Sequence, residues 1–161
     1  MAFVNPPDTE IAALLNGAKT IALIWASANP ARTSHEVMAF LQKKGHRVIP
    51  VNPGLAGQTL LGETVVARIA DLPVKVDMAD VFRPVEYIGG VVDECIAAGI
   101  PAVWTQLELV DEAAAERARA APGRRGLRTS SVSAGMTVVM DRCPKIDYPR
   151  LGLRGPGVQP G

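Results

Sequence analysis

Cysteine is scarce in this chain. Two residues, Cys95 and Cys143, stand far apart in 161, which excludes a disulfide framework and any Cys-x-x-Cys redox or metal site and fits a reducing cytoplasm. An excess of one charge is also missing. The 17 Lys and Arg against 16 Asp and Glu leave a formal net charge of +1, so no overall field draws the chain to nucleic acid or to a membrane surface. No apolar run approaches the ~20 residues that cross a bilayer. The first residues, Met1-Ala2-Phe3-Val4-Asn5-Pro6-Pro7-Asp8, lack a basic stretch followed by an apolar one, so a soluble, unexported, cytoplasmic protein is expected. The two histidines, His35 and His46, fit no metal-ligand spacing.

The length suits a single domain with a sizeable apolar core. Residues 1–152 are expected to form it, and the Gly- and Pro-rich residues 153–161 a disordered tail. Asp8 or Thr9 can cap a first helix over 10–15, which Gly17 ends. Thr20-Ile21-Ala22-Leu23-Ile24 is an unbroken apolar run, the signature of a buried parallel strand. Thr33-Ser34-His35-Glu36 has capping-box spacing ahead of a helix with an apolar face at Val37, Met38, Phe40 and Leu41. A second strand follows at 47–51, loosely bounded because Pro50 donates no ladder hydrogen bond. Residues 52–62 read as a loop and 66–72 as a short helix.

The third strand, residues 76–82, alternates apolar and acidic residues, which predicts an outer position in the sheet. Pro84 opens a helix buried through Ile88, Val91, Val92 and Cys95, and a strand at 102–106 follows. Asp111 caps an Ala-rich helix over 112–121. The basic, Ser- and Thr-rich segment 124–134 is expected to be mobile, and 136–140 to form the fifth strand. Strands alternating with helices predict an α/β fold: a three-layer Rossmann-like domain around a five-stranded, mainly parallel sheet.

In such sheets ligands bind beyond the carboxyl ends of the strands. The first of those loops, Ser27-Ala28-Asn29-Pro30-Ala31-Arg32-Thr33-Ser34, lacks the Gly-x-Gly-x-x-Gly turn of dinucleotide sites, and no Walker pattern occurs, so neither ordinary NAD binding nor nucleoside triphosphate hydrolysis is supported. What the loop holds is a guanidinium, three hydroxyls and the amides of a helix N-terminus, a set suited to phosphate. The alternative, a cap at Thr33 and Ser34 beside a solvated Arg32, carries comparable weight on composition alone. Asp77 and Asp80, or Asp141 and Asp147, lack a nucleophile beside them and read as ion-pair partners of Arg83, Arg142 or Lys145. Cys95 reads as packing and Cys143 as a small buried side chain in a turn. His46, beside Gly45, reads as a helix C-terminal residue.

Five segments in order carry a resemblance: 27–34, Val48-Ile49-Pro50-Val51-Asn52-Pro53, Asp80-Val81-Phe82-Arg83, Val103-Trp104-Thr105-Gln106, and Val139-Met140-Asp141-Arg142-Cys143-Pro144-Lys145. Over roughly 9–152 the chain resembles the CoA-binding domain proteins of the YccU-like family, stand-alone relatives of the CoA-binding domain in the alpha subunit of succinyl-CoA synthetase. The resemblance implies binding of coenzyme A or an acyl-CoA without catalysis. It sets Ser27, Asn29, Pro30, Arg32, Thr33 and Ser34 about the phosphates, Asn52, Pro53, Phe82 and Arg83 along the adenosine and pantetheine path, and Gln106 and Arg142 facing the site. The family pattern has glycine at Trp25 and proline at Thr33. Two other readings stay open, an acyl-CoA ligase or transferase relative that needs a partner subunit, and a regulatory module whose pocket Trp25 closes. A homodimer or another protein partner is likewise open.

Overall fold

The computed structural model describes residues 3–121 and 135–156. The basic segment expected to be mobile, and the last five residues of the expected tail, lie outside the described residues. In chain order the elements are α1 (Asp8–Gly17), β1 (Thr20–Ile24), α2 (Thr33–Lys43), β2 (Arg47–Val51), β3 (Thr59–Leu60), β4 (Glu63–Thr64), β5 (Met78–Val81), α3 (Ile88–Ala98), β6 (Ala102–Thr105), α4 (Glu112–Ala120), β7 (Thr137–Val139) and α5 (Pro144–Leu151). Five strands pair in parallel in the order β2-β1-β5-β6-β7. This is the α/β, Rossmann-like sheet that the apolar runs predict. The order reverses between β1 and β5, which makes the carboxyl edge there the switch point.

Successive side chains on each strand point to opposite faces. Ala22, Ile24, Ala79, Val81 and Val103 therefore pack against α3 and α4, while Ile21, Leu23, Met78 and Trp104 pack against α1, α2 and α5. Trp104 is fully buried, and its indole N–H donates to the Arg142 carbonyl at 2.8 Å, so one core side chain fixes the loop that leaves β7. Cys95 is fully buried on α3, where burial pushes its thiol up to about 12, and Cys143 is buried in the other core layer. Residues 153–156 pack onto this body: the Leu153 amide donates to the Tyr148 carbonyl at 3.0 Å and the Gly155 amide to Asn16 Oδ1 at 3.1 Å.

The structure corrects several local expectations. The segment read as the outer strand is β5, the centre of the sheet. Its alternating acids do not mark a solvent face. Asp77 precedes the strand and accepts from the Lys19 and Thr20 amides at 2.9 and 3.1 Å, which joins the entrances of β5 and β1. Asp80 is fully buried and neither of its oxygens has a partner among the described residues, so it forms no ion pair with any of them. The outer strands are β2 and β7 among the described residues, and the edge position is what lets β2 accommodate Pro50.

The expected helix over 66–72 is a single 3-10 turn at Ile69–Asp71, and the loop after β2 contains the β3–β4 hairpin. Neither N-terminal helix carries the expected cap. Pro7 and Arg32 stand at the cap positions of α1 and α2 with no side-chain hydrogen bond, while Asp8 instead pairs bidentately with Arg150, at 3.0 Å for each bond. Asp111 does cap α4, accepting from the Ala114 amide. His46 closes the C-terminus of α2 as expected, its amide donating to the Leu41 carbonyl at 3.1 Å, but its ring turns inward. It is buried, its Nδ1 donates to the Ala18 carbonyl, and Tyr148 bonds its Nε2, with burial holding the imidazole below its ordinary range. The loop read after β7 continues as α5, opened by Pro144, whose fixed φ suits the first helical turn.

Burial raises the Asp80 carboxyl well above its ordinary range. Above a pH of about 3.9 the unfolded chain gives up this proton while the fold retains it, so stability falls as pH rises towards the folded value. Asp80→Asn, which keeps the shape and drops the charge, is expected to gain melting temperature relative to the parent as pH rises above about 3.9 towards the folded value. A difference constant with pH would contradict a neutral Asp80.

Candidate functional site

The loop from β1 to α2 is shaped by its own short polar side chains. The Asn29 amide donates to Ser27 Oγ at 3.1 Å, and the Ala31 amide to Asn29 Oδ1 at 3.0 Å, an Asx turn that sets up entry into the helix. The backbone of Asn29 accepts from the Arg32 amide at 3.0 Å. With no side-chain cap on α2, the amides of Thr33 and Ser34 are left for whatever occupies the cavity that both residues line. Arg32 lines it too, is exposed, and has no ion pair with any described residue.

The opposite wall comes from the loop after β2. Asn52 Nδ2 donates to the Ala26 carbonyl at 2.8 Å, and Asn52 Oδ1 accepts from the Gly54 amide at 2.8 Å. One carboxamide thus holds two loops together. The Val51 carbonyl accepts from both the Trp25 and Ala26 amides, at 2.8 and 3.3 Å, so the parallel pairing of β1 and β2 runs on past the strands. Between these loops lies a cavity of about 620 Å³, floored on the β5 side by half-buried Phe82. That volume is in the range of small-molecule sites. Its lining combines hydroxyls, amides, one guanidinium and aromatic carbon, a donor set that fits an anionic ligand with apolar parts.

Trp25 lines the cavity with φ 72, in the left-handed region that bulky residues avoid. This is the position where the resembled family has glycine. The Arg83 guanidinium lies over its ring, with Cζ 3.7 Å from the centroid, and stands equally 3.7 Å from the Tyr87 ring. Arg83 Nε is buried without an acceptor.

Of the sequence-predicted residues, the cavity gathers Ser27, Asn29, Arg32, Thr33, Ser34, Asn52 and Phe82. Pro30, Pro53, Arg83, Gln106 and Arg142 do not line it. Pro53 opens the 3-10 turn whose Gly54 and Leu55 do. Gln106 is buried with Oε1 unpartnered, and Arg142 is drawn towards α5 by Asp147, at 3.8 Å. The rule for parallel sheets reached the loop 52–54, and so Gly54, but Leu55 read as generic loop and Trp25 as bulk rather than as lining. The exit of an aromatic from a strand at a glycine position was the available signal.

Uncapped helix amides, a guanidinium unpaired among the described residues and pinned loops lie at the switch point of a parallel sheet, so the chain is a Rossmann-like domain whose cavity has the donor set of an anion site. The chain belongs to the CoA binding domain family, whose model matches residues 19–149. It is similar to YneT of Bacillus subtilis (strain 168), an uncharacterized protein, with 33% identity over 144 residues that cover 89% of this chain and 96% of the relative. A solved structure, cell-free ID.343 from Thermus thermophilus, is 35% identical with a TM-score of 0.79, covering 91% of this chain and 99% of that one. A dinucleotide forming acetyl-coenzyme A synthetase from Ca. Korarchaeum cryptofilum, in complex with phosphate and ADP, matches at 26% identity and a TM-score of 0.53 over 66% of this chain and 24% of its own.

Asn52→Asp keeps the acceptor for the Gly54 amide and sets an oxygen against the Ala26 carbonyl. It is expected to cost about 1–3 kcal/mol in urea unfolding. An unchanged midpoint would show that this carboxamide does not hold the two loops.

Proposed function

We propose that the cavity binds coenzyme A or an acyl-CoA and holds it without turnover, in the cytoplasm. The observation that carries this reading is the uncapped N-terminus of α2 beside Arg32, which is unpaired among the described residues, both on a cavity large enough for part of a nucleotide. The Thr33 and Ser34 amides and the Arg32 fork would receive phosphate oxygens, with the helix dipole adding to their pull. Asn52 and Phe82 would flank the ligand on the other side. Membership of the CoA binding domain family supports the choice of CoA among phosphorylated ligands. The related synthetase solved with phosphate and ADP supports the choice of an adenine nucleotide. Hydroxyls, amides and one guanidinium in the lining are groups that bind and orient.

Calorimetric titration with CoA, dephospho-CoA, ADP and NAD tests the reading. CoA is expected to bind tightest, and Arg32→Ala to weaken it by about 1.5–3 kcal/mol, the range for a charged hydrogen bond. Absence of heat with CoA would overturn the function. Equal affinities of variant and parent would remove Arg32 from the site.

A further inference from the structure

The chain has two Trp, two Tyr and three Phe, and three of these aromatics belong to the cavity or to the stack beside it. Trp25 and Phe82 line it, and Tyr87 stands behind, on the far side of the Arg83 guanidinium. The order is indole, guanidinium, phenol. A cation 3.7 Å from the indole centroid covers that face of the ring. What Trp25 gives the cavity is therefore its opposite face and its edge. Arg83 forms no ion pair with any described residue, so stacking is the interaction that holds it. The left-handed backbone at Trp25, φ 72, is retained although glycine would adopt it without strain.

We propose that Trp25 is the base platform of this site: the purine of the ligand lies flat against the cavity face of the indole, while its phosphates rest at the start of α2 and on Arg32. The inference rests on the CoA reading above and deepens it by assigning the group that recognises the base. Trp25, Arg32 and Ser34 line the same cavity, so one nucleotide can serve the aromatic and the anionic ends together. Every base has a π-face, so an aromatic platform selects for the presence of a base. A ring already clamped from behind by Arg83 has little rotamer freedom left to lose on binding. Phe82, on the β5 side, supplies apolar floor. Arg83 acts here through Trp25, as a positioning residue.

Tryptophan emission reads this out directly. The other indole, Trp104, is fully buried and bonded to the Arg142 carbonyl, so ligand-dependent change reports Trp25. CoA and ADP are expected to quench the emission of the parent protein, whereas phosphopantetheine, which has no base, is expected to bind without quenching. Trp25→Gly should weaken CoA and ADP about tenfold, the loss of one base–aromatic stack, and leave phosphopantetheine unchanged. Trp25→Phe should recover most of the difference. Because glycine relaxes the left-handed backbone, a weakened Trp25→Gly variant is not explained by strain in the fold. Arg83→Met should reduce the base-dependent part of the affinity alone.

Equal or tighter CoA binding by Trp25→Gly, with the parent binding CoA, would overturn the platform and leave the CoA reading standing. A parent and a Trp25→Gly variant that both fail to bind CoA would overturn that reading and the platform with it.

Discussion

The parallel pairing of β1 with β2 is the constraint on which the cavity depends, because it is not allowed to end where the strands end. The Val51 carbonyl takes two amides from the departing β1 chain, and the Asn52 carboxamide then spans from the Ala26 carbonyl to the Gly54 amide. Loops leaving a parallel sheet otherwise have no common partner, since each feeds a different crossover. Here they leave already tied. The chain leaving the β3–β4 hairpin reinforces the same wall, with the Val66 amide donating to the Pro50 carbonyl and the Asn52 amide to the Val66 carbonyl, at 3.0 and 2.9 Å. With both walls fixed, an uncapped helix start becomes a directed set of donors.

Much of this was legible in the sequence, for identifiable reasons. Strand runs such as Thr20–Ile24 are apolar throughout because both sheet faces are covered by helices, so composition alone marks them as parallel. The rule that ligands sit beyond the carboxyl ends then selected the loops at Ser27 and Asn52 without any coordinate. Strand order was another matter. β5 lies between β1 and β6, and an alternating acid pattern pointed outward because sequence cannot distinguish a solvated Asp from a buried one, as Asp80 is. Capping failed for a related reason. Thr33 and Ser34 have the right spacing, but Arg32 holds the cap position, so the hydroxyls that would have closed α2 line the cavity instead. The two prolines in α5 concealed a helix that Pro144 begins and that tolerates Pro149.

The two edges of the sheet are built on opposite principles. At the amino edge polar groups are satisfied: Asp77 takes the Lys19 and Thr20 amides, and His46 links Ala18 to Tyr148. At the carboxyl edge stand three of the four non-glycine residues at positive φ among those described, Trp25, Glu108 and Asp141 at 72, 69 and 58; the fourth, Leu61 at 48, turns the β3–β4 hairpin. Arg83 Nε and Gln106 Oε1 are buried there without partners. Left-handed backbone at non-glycine residues costs about 1–3 kcal/mol each and persists only where surrounding bonds over-determine it. The Val51 carbonyl does this at Trp25, and the Asp141 carboxylate does it at Glu108, whose amide it receives at 2.6 Å. A fold selected only for stability would distribute such costs or remove them. Three of these residues share their edge with the uncapped start of α2 and with an arginine unpaired among the described residues, and it is the edge beyond which parallel α/β sheets bind their ligands.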